Sequence, residues 1–238
     1  MAETGRKTVN LVIVGIGGVG SALVYKIARF CQFQDEFDTT ISLIDGDAYE
    51  NRNATRQIFS EIGNKAEVTA AQAALQFDRV SFLPFSEFLT PENIDFYIMD
   101  GSIVFVCVDN HKTRRLLDEH ASALSDIILI NGGNNLTDGN VQLYIRRSGK
   151  DVTASLSQTH PEIEQPTDKS PHEMSCEERA AESAPQLFVA NDMIAVIMFQ
   201  MLWNILTDEA FVLCPPYGEI YFDIVSGRTN PFPRHPTP

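Results

Sequence analysis

The feature that most restricts this chain is a run of glycines placed directly after a short apolar stretch. Residues 9–14 are almost wholly apolar, and Gly15-Ile16-Gly17-Gly18-Val19-Gly20 follows at once. From residue 21 to 30, Leu23, Ile27 and Phe30 then recur at helical spacing. A strand that ends in glycines and opens a helix needs one glycine for the tight turn. It needs another for close approach to a phosphate, and a last one for helix–strand packing. The first N–H groups of the helix and the positive end of its dipole then face the turn and favour an anion there.

Beyond this unit the pattern keeps alternating. Strands are predicted at residues 40–44, 80–84, 103–108, 127–130 and 141–145, and helices at 65–77 and 113–124. That alternation implies an α/β chain: a Rossmann-like, doubly wound, mostly parallel sheet covered by helices. Residues 150–185 are rich in Ser, Thr, Glu and Pro, and read as a long mobile crossover loop. A helix at 186–206, a strand at 219–225 and an irregular proline-rich end form a C-terminal helix–strand extension. The expectation is one domain over residues 1–238.

Charge removes several classes of function. The chain has 238 residues, with 18 Lys and Arg against 32 Asp and Glu, a formal net charge of −14. No basic surface is available to release counterions from nucleic acid or to hold an anionic membrane. The N-terminus lacks an apolar signal core. The most apolar stretch, 188–206, carries Asn191, Asp192, Gln200 and Asn204, and reads as a buried helix. Cys31, Cys107, Cys176 and Cys214 form no CxxC pair, which fits a reducing cytoplasm. Cys31 and Cys107 read as core residues and Cys214 as structural.

Asp45 ends the second strand, where a carboxylate can accept both ribose hydroxyls. With Gly15, Gly17, Gly18 and Gly20 it indicates an adenine nucleotide, without separating NAD, FAD and ATP. The following segment carries Asp47, Glu50, Arg52, Asn53, Arg56, Gln57 and Lys65. A triphosphate carries about four negative charges, which basic groups must offset before a nucleophile can approach. Three cations so close together in an acidic chain favour ATP; a solvated basic run is the plainer alternative. Asp109 ends the strand at 103–108. There it can hold Mg²⁺ against phosphate oxygens or cap the next helix.

These motifs occur together in one superfamily. The Gly-x-Gly-Gly-x-Gly-Ser loop, the acidic run ending in Arg56-Gln57, Gly63-x-Lys65-Ala66 and Val108-Asp109-Asn110-x-x-x-Arg114 follow in its order and at similar spacings. The chain resembles the ubiquitin-activating-enzyme-like adenylyltransferases of the ThiF/MoeB/HesA group, over residues 9–225. The resemblance implies binding of ATP and Mg²⁺ and adenylation of the C-terminal glycine of a ubiquitin-like protein. It assigns Asp45 to the ribose and Asn53, Arg56 and Lys65 to the phosphates, with Asp47 among the nucleotide-binding residues. Gln57 helps shape the site. Asp109 is the metal ligand and catalytic aspartate.

The resemblance also assigns Cys176 as a nucleophile that converts the adenylate into a thioester. Independently, Ser175-x-x-Glu178 is a capping-box pattern that sets Cys176 at a helix start, where thiolate is favoured, although Glu177 and Glu178 oppose it. Relatives have a helix before the first strand, with an arginine reaching the partner subunit's ATP; here about eight residues precede the strand, and Arg6 is a poor substitute. The paired CxxC zinc ligands of relatives are missing, so no zinc is expected, and His160 and His172 read as solvent-exposed. The resemblance implies a homodimer acting on a ubiquitin-like protein in a prokaryotic conjugation pathway, with a downstream conjugating enzyme. A sulfur-carrier substrate for thiamin or molybdopterin synthesis is the alternative, and an NAD-dependent oxidoreductase a more distant one.

Overall fold

The computed structural model describes residues 6–55, 57–174 and 187–236, apart from the side chains of Arg52 and His172. Arg56 and Cys176, with the capping-box pattern around Cys176, lie outside the described residues.

The glycine-ended strand is the centre of one continuous sheet. β1 (Lys7–Val14) pairs in parallel with β2 (Phe37–Ile44) and with β4 (Ile103–Val106). β3 (Val80–Phe85) continues beyond β2, and β5 (Ile127–Asn134) beyond β4, giving the parallel order β3-β2-β1-β4-β5. The order reverses across β1, which opens a crevice between the connections leaving β1 and β4. Antiparallel strands extend the sheet past β5: β6 (Asp138–Arg147), then β8 (Glu219–Asp223) and β9 (Arg228–Phe232), with the two-residue β7 (Lys150–Asp151) on β6. The edge strands β3 and β9 carry Pro84 and Pro231, whose missing N–H is tolerated at an edge.

Side chains alternate along β1 between two cores. Leu11 and Ile13 pack with α1 (Gly18–Gln32), α2 (Lys65–Ala74) and α7 (Phe188–Thr207). Val12 and Val14 pack on the opposite face, with α3 (Ile94–Tyr97), α4 (His111–Ala123), α5 (Leu156–Thr159) and α6 (Pro161–Glu164). Both faces of the central strands are covered, which is why their sequences are continuously apolar. Each fully buried Leu or Ile in these rows contributes roughly 1.5–3 kcal/mol. Cys31 lies in the first core, as expected.

α7 packs Met198, Met201 and Leu202 into the core but leaves Val196 and Trp203 exposed. It is long and apolar enough, by length and composition, to cross a membrane; its buried face packs against α1, β5 and β6. The short α8 (Glu209–Leu213) follows it. Cys214, expected to be structural, is exposed.

Residues 150–174 depart from the irregular loop expected there. They form β7, α5, α6 and a 3₁₀ turn, Pro171–Glu173. A buried carboxylate organises them. Asp118 of α4 accepts from the Leu156 N–H (2.7 Å), the Ser157 N–H (2.9 Å) and the Ser157 hydroxyl (2.6 Å). The C-terminal tail supplies the other fastening. β9 is a paired strand, and the buried Arg234 beyond it donates to Ala154 O (3.2 Å) and Ser155 O (2.5 Å). Of the few apolar residues, Ala154, Leu156 and Ile163 are fully or almost fully buried, and Val152 and Met174 partly so. Low apolar content misled the reading because polar anchors hold the segment.

Asp118→Ala would leave those donors facing a gap. The expected cost is about 2–4 kcal/mol in urea unfolding, with new tryptic cleavage at Lys169 under native conditions.

Candidate functional site

Val14 is paired with Ile44 on one side and with Val106 on the other. The three strands therefore stop at one level, and their following loops leave side by side. Gly15 donates to Ile44 O (2.9 Å) and Cys107 to Val14 O (2.8 Å), so the loops are bonded to one another from their first residue. Gly15 has φ +89°, and a side chain there would meet Cys107 O at 2.9 Å. A Cβ on Gly20 would lie 2.0 Å from Gly15 O, so only glycine lets α1 come this close to the turn.

The loops surround a cavity of about 1290 Å³. One half is walled by Gly17, Gly18, Asp45, Asp47, Asn53, Gln57 and Lys65, with Phe88 and Leu89 from the loop after β3. Gly17 is open: a Cβ at this position would find its nearest neighbour, Gln57 Nε2, at 3.9 Å. The Oε1 atom of the buried Gln57 has no hydrogen-bond partner. Asp45 is 8% exposed and ties two loops together, accepting from the Ile16 N–H (2.6 Å) and the Asp47 N–H (2.8 Å). Burial pushes its carboxyl pKa up, while Lys65 and these N–H groups oppose the shift.

Lys65 reaches this half because Asn64 caps α2. Asn64 Oδ1 accepts from Ala66 and Glu67, and its Nδ2 donates to Asp45 O (2.8 Å) and Asp47 O (3.1 Å). The Lys65 ammonium meets Asp47 at 3.2 Å. Asn53 uses its side-chain oxygen to accept from the Glu50 N–H (2.8 Å). Asp47, Asn53, Gln57 and Lys65 thus converge as the sequence indicates, while Arg56 falls outside the described residues. Gly20 packs behind the turn and does not line the cavity.

Asp109 is exposed in the cavity wall where β4 ends. The helix-capping alternative falls to its neighbour: Asn110 Oδ1 accepts from the Thr113 N–H (2.8 Å) and caps α4. Beneath Asp109 lies Arg114, which donates to Val108 O (2.9 Å) and Gly132 O (3.1 Å). Burial lowers its pKa, and the charges of Asp109, Asp168 and Glu162 oppose this. Cys107, read from sequence as core, is only partly buried: it packs against the first core, with Sγ 3.9 Å from Met198 Sδ, and also lines the cavity, and desolvation pushes its pKa well up.

The far half of the cavity is walled by Gly132–Leu136, Asn140 and the segment from His160 to Met174. His160, expected in solvent, lies between two carboxylates, Nε2 2.9 Å from Glu219 and Nδ1 2.9 Å from Glu162. Arg6 is far from all this: it pairs with Asp38 (3.2 Å) at the opposite end of β1. Among the described residues no group of three or more His, Cys, Asp or Glu side chains could hold a metal by itself. Sequence reasoning assigned no role to Asn64, Arg114 or Asp168. The first two stand inside the quoted motifs, and their spacing from Lys65 and Asp109 was the available signal.

The model of the ThiF family matches residues 6–223. The chain belongs to the ThiF family. It is 28% identical over 123 residues to the adenylyltransferase and sulfurtransferase uba4 of Aspergillus fumigatus, covering 50% of this chain and 24% of that protein. A similar match links it to uba4 of Aspergillus clavatus, at 28% identity. This ThiF-family chain thus spans about a quarter of the length of the curated relatives it matches. Its fold is that of E. coli MccB solved with ATP, with a TM-score of 0.72 at 18% identity over 97% of this chain and 65% of the other. PaaA is similar, with a TM-score of 0.66 at 18% identity over 93% and 62%.

In this ThiF-family site the His160 contacts have a pH signature. Burial disfavours the charged ring, but the bonds to Glu219 and Glu162 outweigh it and raise the pKa. Both carboxyls are lowered in turn, and Tyr221 beside them is pushed up to about 12, so protonation of His160 is the event that couples this group to pH. A raised folded-state pKa stabilises the fold fully below the unfolded value, about 6.5, and the contribution is lost as pH rises through the folded value. The stability gap between the wild type and His160→Gln should therefore narrow as pH rises above about 6.5 in urea titrations.

Proposed function

We propose that this protein adenylates the C-terminal carboxylate of a small ubiquitin-fold acceptor, using ATP. One observation carries the reading: three in-register loops bring a glycine turn at a helix start, a buried ribose-type carboxylate, Lys65 and Asp109 around one cavity. The cavity's far half leaves room for an extended tail. In the reaction a carboxylate oxygen of the acceptor attacks the α-phosphorus, the bond to the bridging oxygen breaks, and pyrophosphate leaves. Acceptor and phosphate are both anionic, so positive groups must lower their repulsion. Lys65 and Arg114 lie in the cavity wall, and Arg56 joins them in this reading. No general base is required, because a carboxylate is already ionised near pH 7.

The residues present fit both ligands. The open backbone at Gly17 and the unpartnered Gln57 Oε1 face the space a nucleotide would fill. Asp45 would hold the ribose, and Phe88 and Leu89 flank the space for the base. Asp109 offers one hard oxygen ligand, and Mg²⁺ commonly takes one or two carboxylates and completes its shell with phosphate oxygens and water. A bound Mg²⁺ would neutralise charge on the phosphates.

Cys176 is proposed as the nucleophile of the next step. Its thiolate attacks the acyl carbon of the adenylate, AMP leaves and a thioester forms. Met174, two residues earlier, lines the cavity, so the chain leaves the described residues from its rim. Conjugation and sulfur transfer share the adenylation and diverge after it; the sulfurtransferase named in the uba4 relatives keeps the second open. Family membership weighs against the dinucleotide oxidoreductase.

The test is ATP–pyrophosphate exchange with Mg²⁺ and ubiquitin-fold proteins ending in glycine. Exchange is expected with one such protein and not with variants extended beyond the terminal glycine. Asp109→Ala and Lys65→Ala should each lower it by about 100-fold or more. Cys176→Ala should keep the exchange and lose the thioester. Persistence of exchange in Asp109→Ala would remove the metal assignment.

A further inference from the structure

α4 starts one residue after Asn110, at the wall of the cavity. Its first two N–H groups are not free. His111 donates to Asp168 Oδ2 at 2.5 Å and Lys112 to Asp168 Oδ1 at 3.2 Å, so one carboxylate spans the start of the helix with both its oxygens. A helix N-terminus stabilises an anion through these N–H groups and through its dipole.

The seat is larger than this contact. Asn110 is 8% exposed and lines the cavity, and its Nδ2 has no hydrogen-bond partner. The buried Arg114 Nε has none either, and the charges of both Asp109 and Asp168 act on that guanidinium. The Asp168 carboxylate is delivered from outside. Residues 165–170 form no helix or strand; beyond Asp168 the chain is anchored at the buried Ser170, whose N–H donates to Glu173 (2.9 Å), and by the Lys112–Glu173 ion pair (2.6 Å), with both of its partners well exposed. Exposed ion pairs hold weakly. Asp168 stands on an irregular run outside every strand, two residues before the Ser170 anchor, so its carboxylate can leave the helix start without unfolding the sheet.

We infer that the first turn of α4 is the seat of the acceptor's terminal carboxylate, and that Asp168 occupies it as a tethered substitute until the acceptor displaces it. The inference rests on the adenylation reading for the identity of the incoming group. The seat flanks Asp109 on the β4–β5 side, whereas the N-terminus of α1 and Lys65 lie on the β1–β2 side. A carboxylate held there would face the nucleotide half from across the crevice. Neutral N–H donors would keep it ionised and nucleophilic. A small carboxylate gains too little to expel Asp168. A tail that also contacts the walls from Gly132 to Asn140 gains more, so the exchange selects for extended acceptors.

The experiment uses glycylglycine and glycylglycinamide as probes, without ATP, on the full chain. An internal competitor weakens apparent affinity by the fraction of seats left free, so Asp168→Ala should bind glycylglycine about tenfold or more tightly than the wild type. The amide should gain nothing, and ATP affinity should not rise. Asp168→Asn, which keeps the shape without the charge, should show the same carboxylate-dependent gain; this variant decides the matter if Asp168→Ala is unstable. Equal binding of the two probes by both variants would overturn the inference. So would a gain in ATP affinity, which would assign the seat to a phosphate. Because the probes are read without ATP, a failure of adenylation itself leaves this result separately visible.

Discussion

Val14, Ile44 and Val106 form a row across the sheet, and the chemistry of the protein hangs from it. Because these residues are paired in register, the glycine turn, the loop of Asp45 and the loop of Asp109 begin at the same height. A slip of one residue in β2 would turn Ile44 and Asp45 to opposite faces. The apolar alternation that fills both cores is therefore also what aims the polar ends. Asp45 then locks the arrangement by accepting N–H groups from two of the three loops. The carboxylate assigned to a ribose thus has a structural role as well.

Local patterns were legible, and long-range polar contacts were not. The glycine loop, the ribose-type carboxylate and the convergence of Asn53, Gln57 and Lys65 could be read because each lies within a short strand–loop–helix unit with its own chemistry. Asn64 was visible in its motif, yet its work of capping α2 while binding the backbone of Asp45 and Asp47 needs the fold to be seen. His160 meets Glu219 across 59 positions of sequence, and Asp118 meets Leu156 across 38. No periodicity encodes such pairs. The stretch after residue 150 was misjudged for this reason. Its apolar residues are few, and its anchors are a carboxylate on α4 and an arginine near the C-terminus, neither of which any local pattern singles out.

The electrostatics of the cavity argue for exchange of like groups. The chain is strongly acidic, and cations in and beside the cavity are already engaged: Lys65 with Asp47, Arg114 with carbonyl oxygens under the charge of Asp109 and Asp168, and, next to the wall, Lys112 with Glu173; Lys169 in the wall is not free either. An anionic ligand entering such a site cannot simply add to it, because its charge would face a field already balanced or negative. It enters by replacing an internal carboxylate or by bringing its own cation. The half proposed for the nucleotide fits the second route, with Asp109 exposed in its wall. The far half fits the first, since Asp168 covers the start of α4 with a group of the same charge and shape as a terminal carboxylate. Two routes of compensation in one cavity would let two anions meet while the surrounding protein keeps its excess of negative charge.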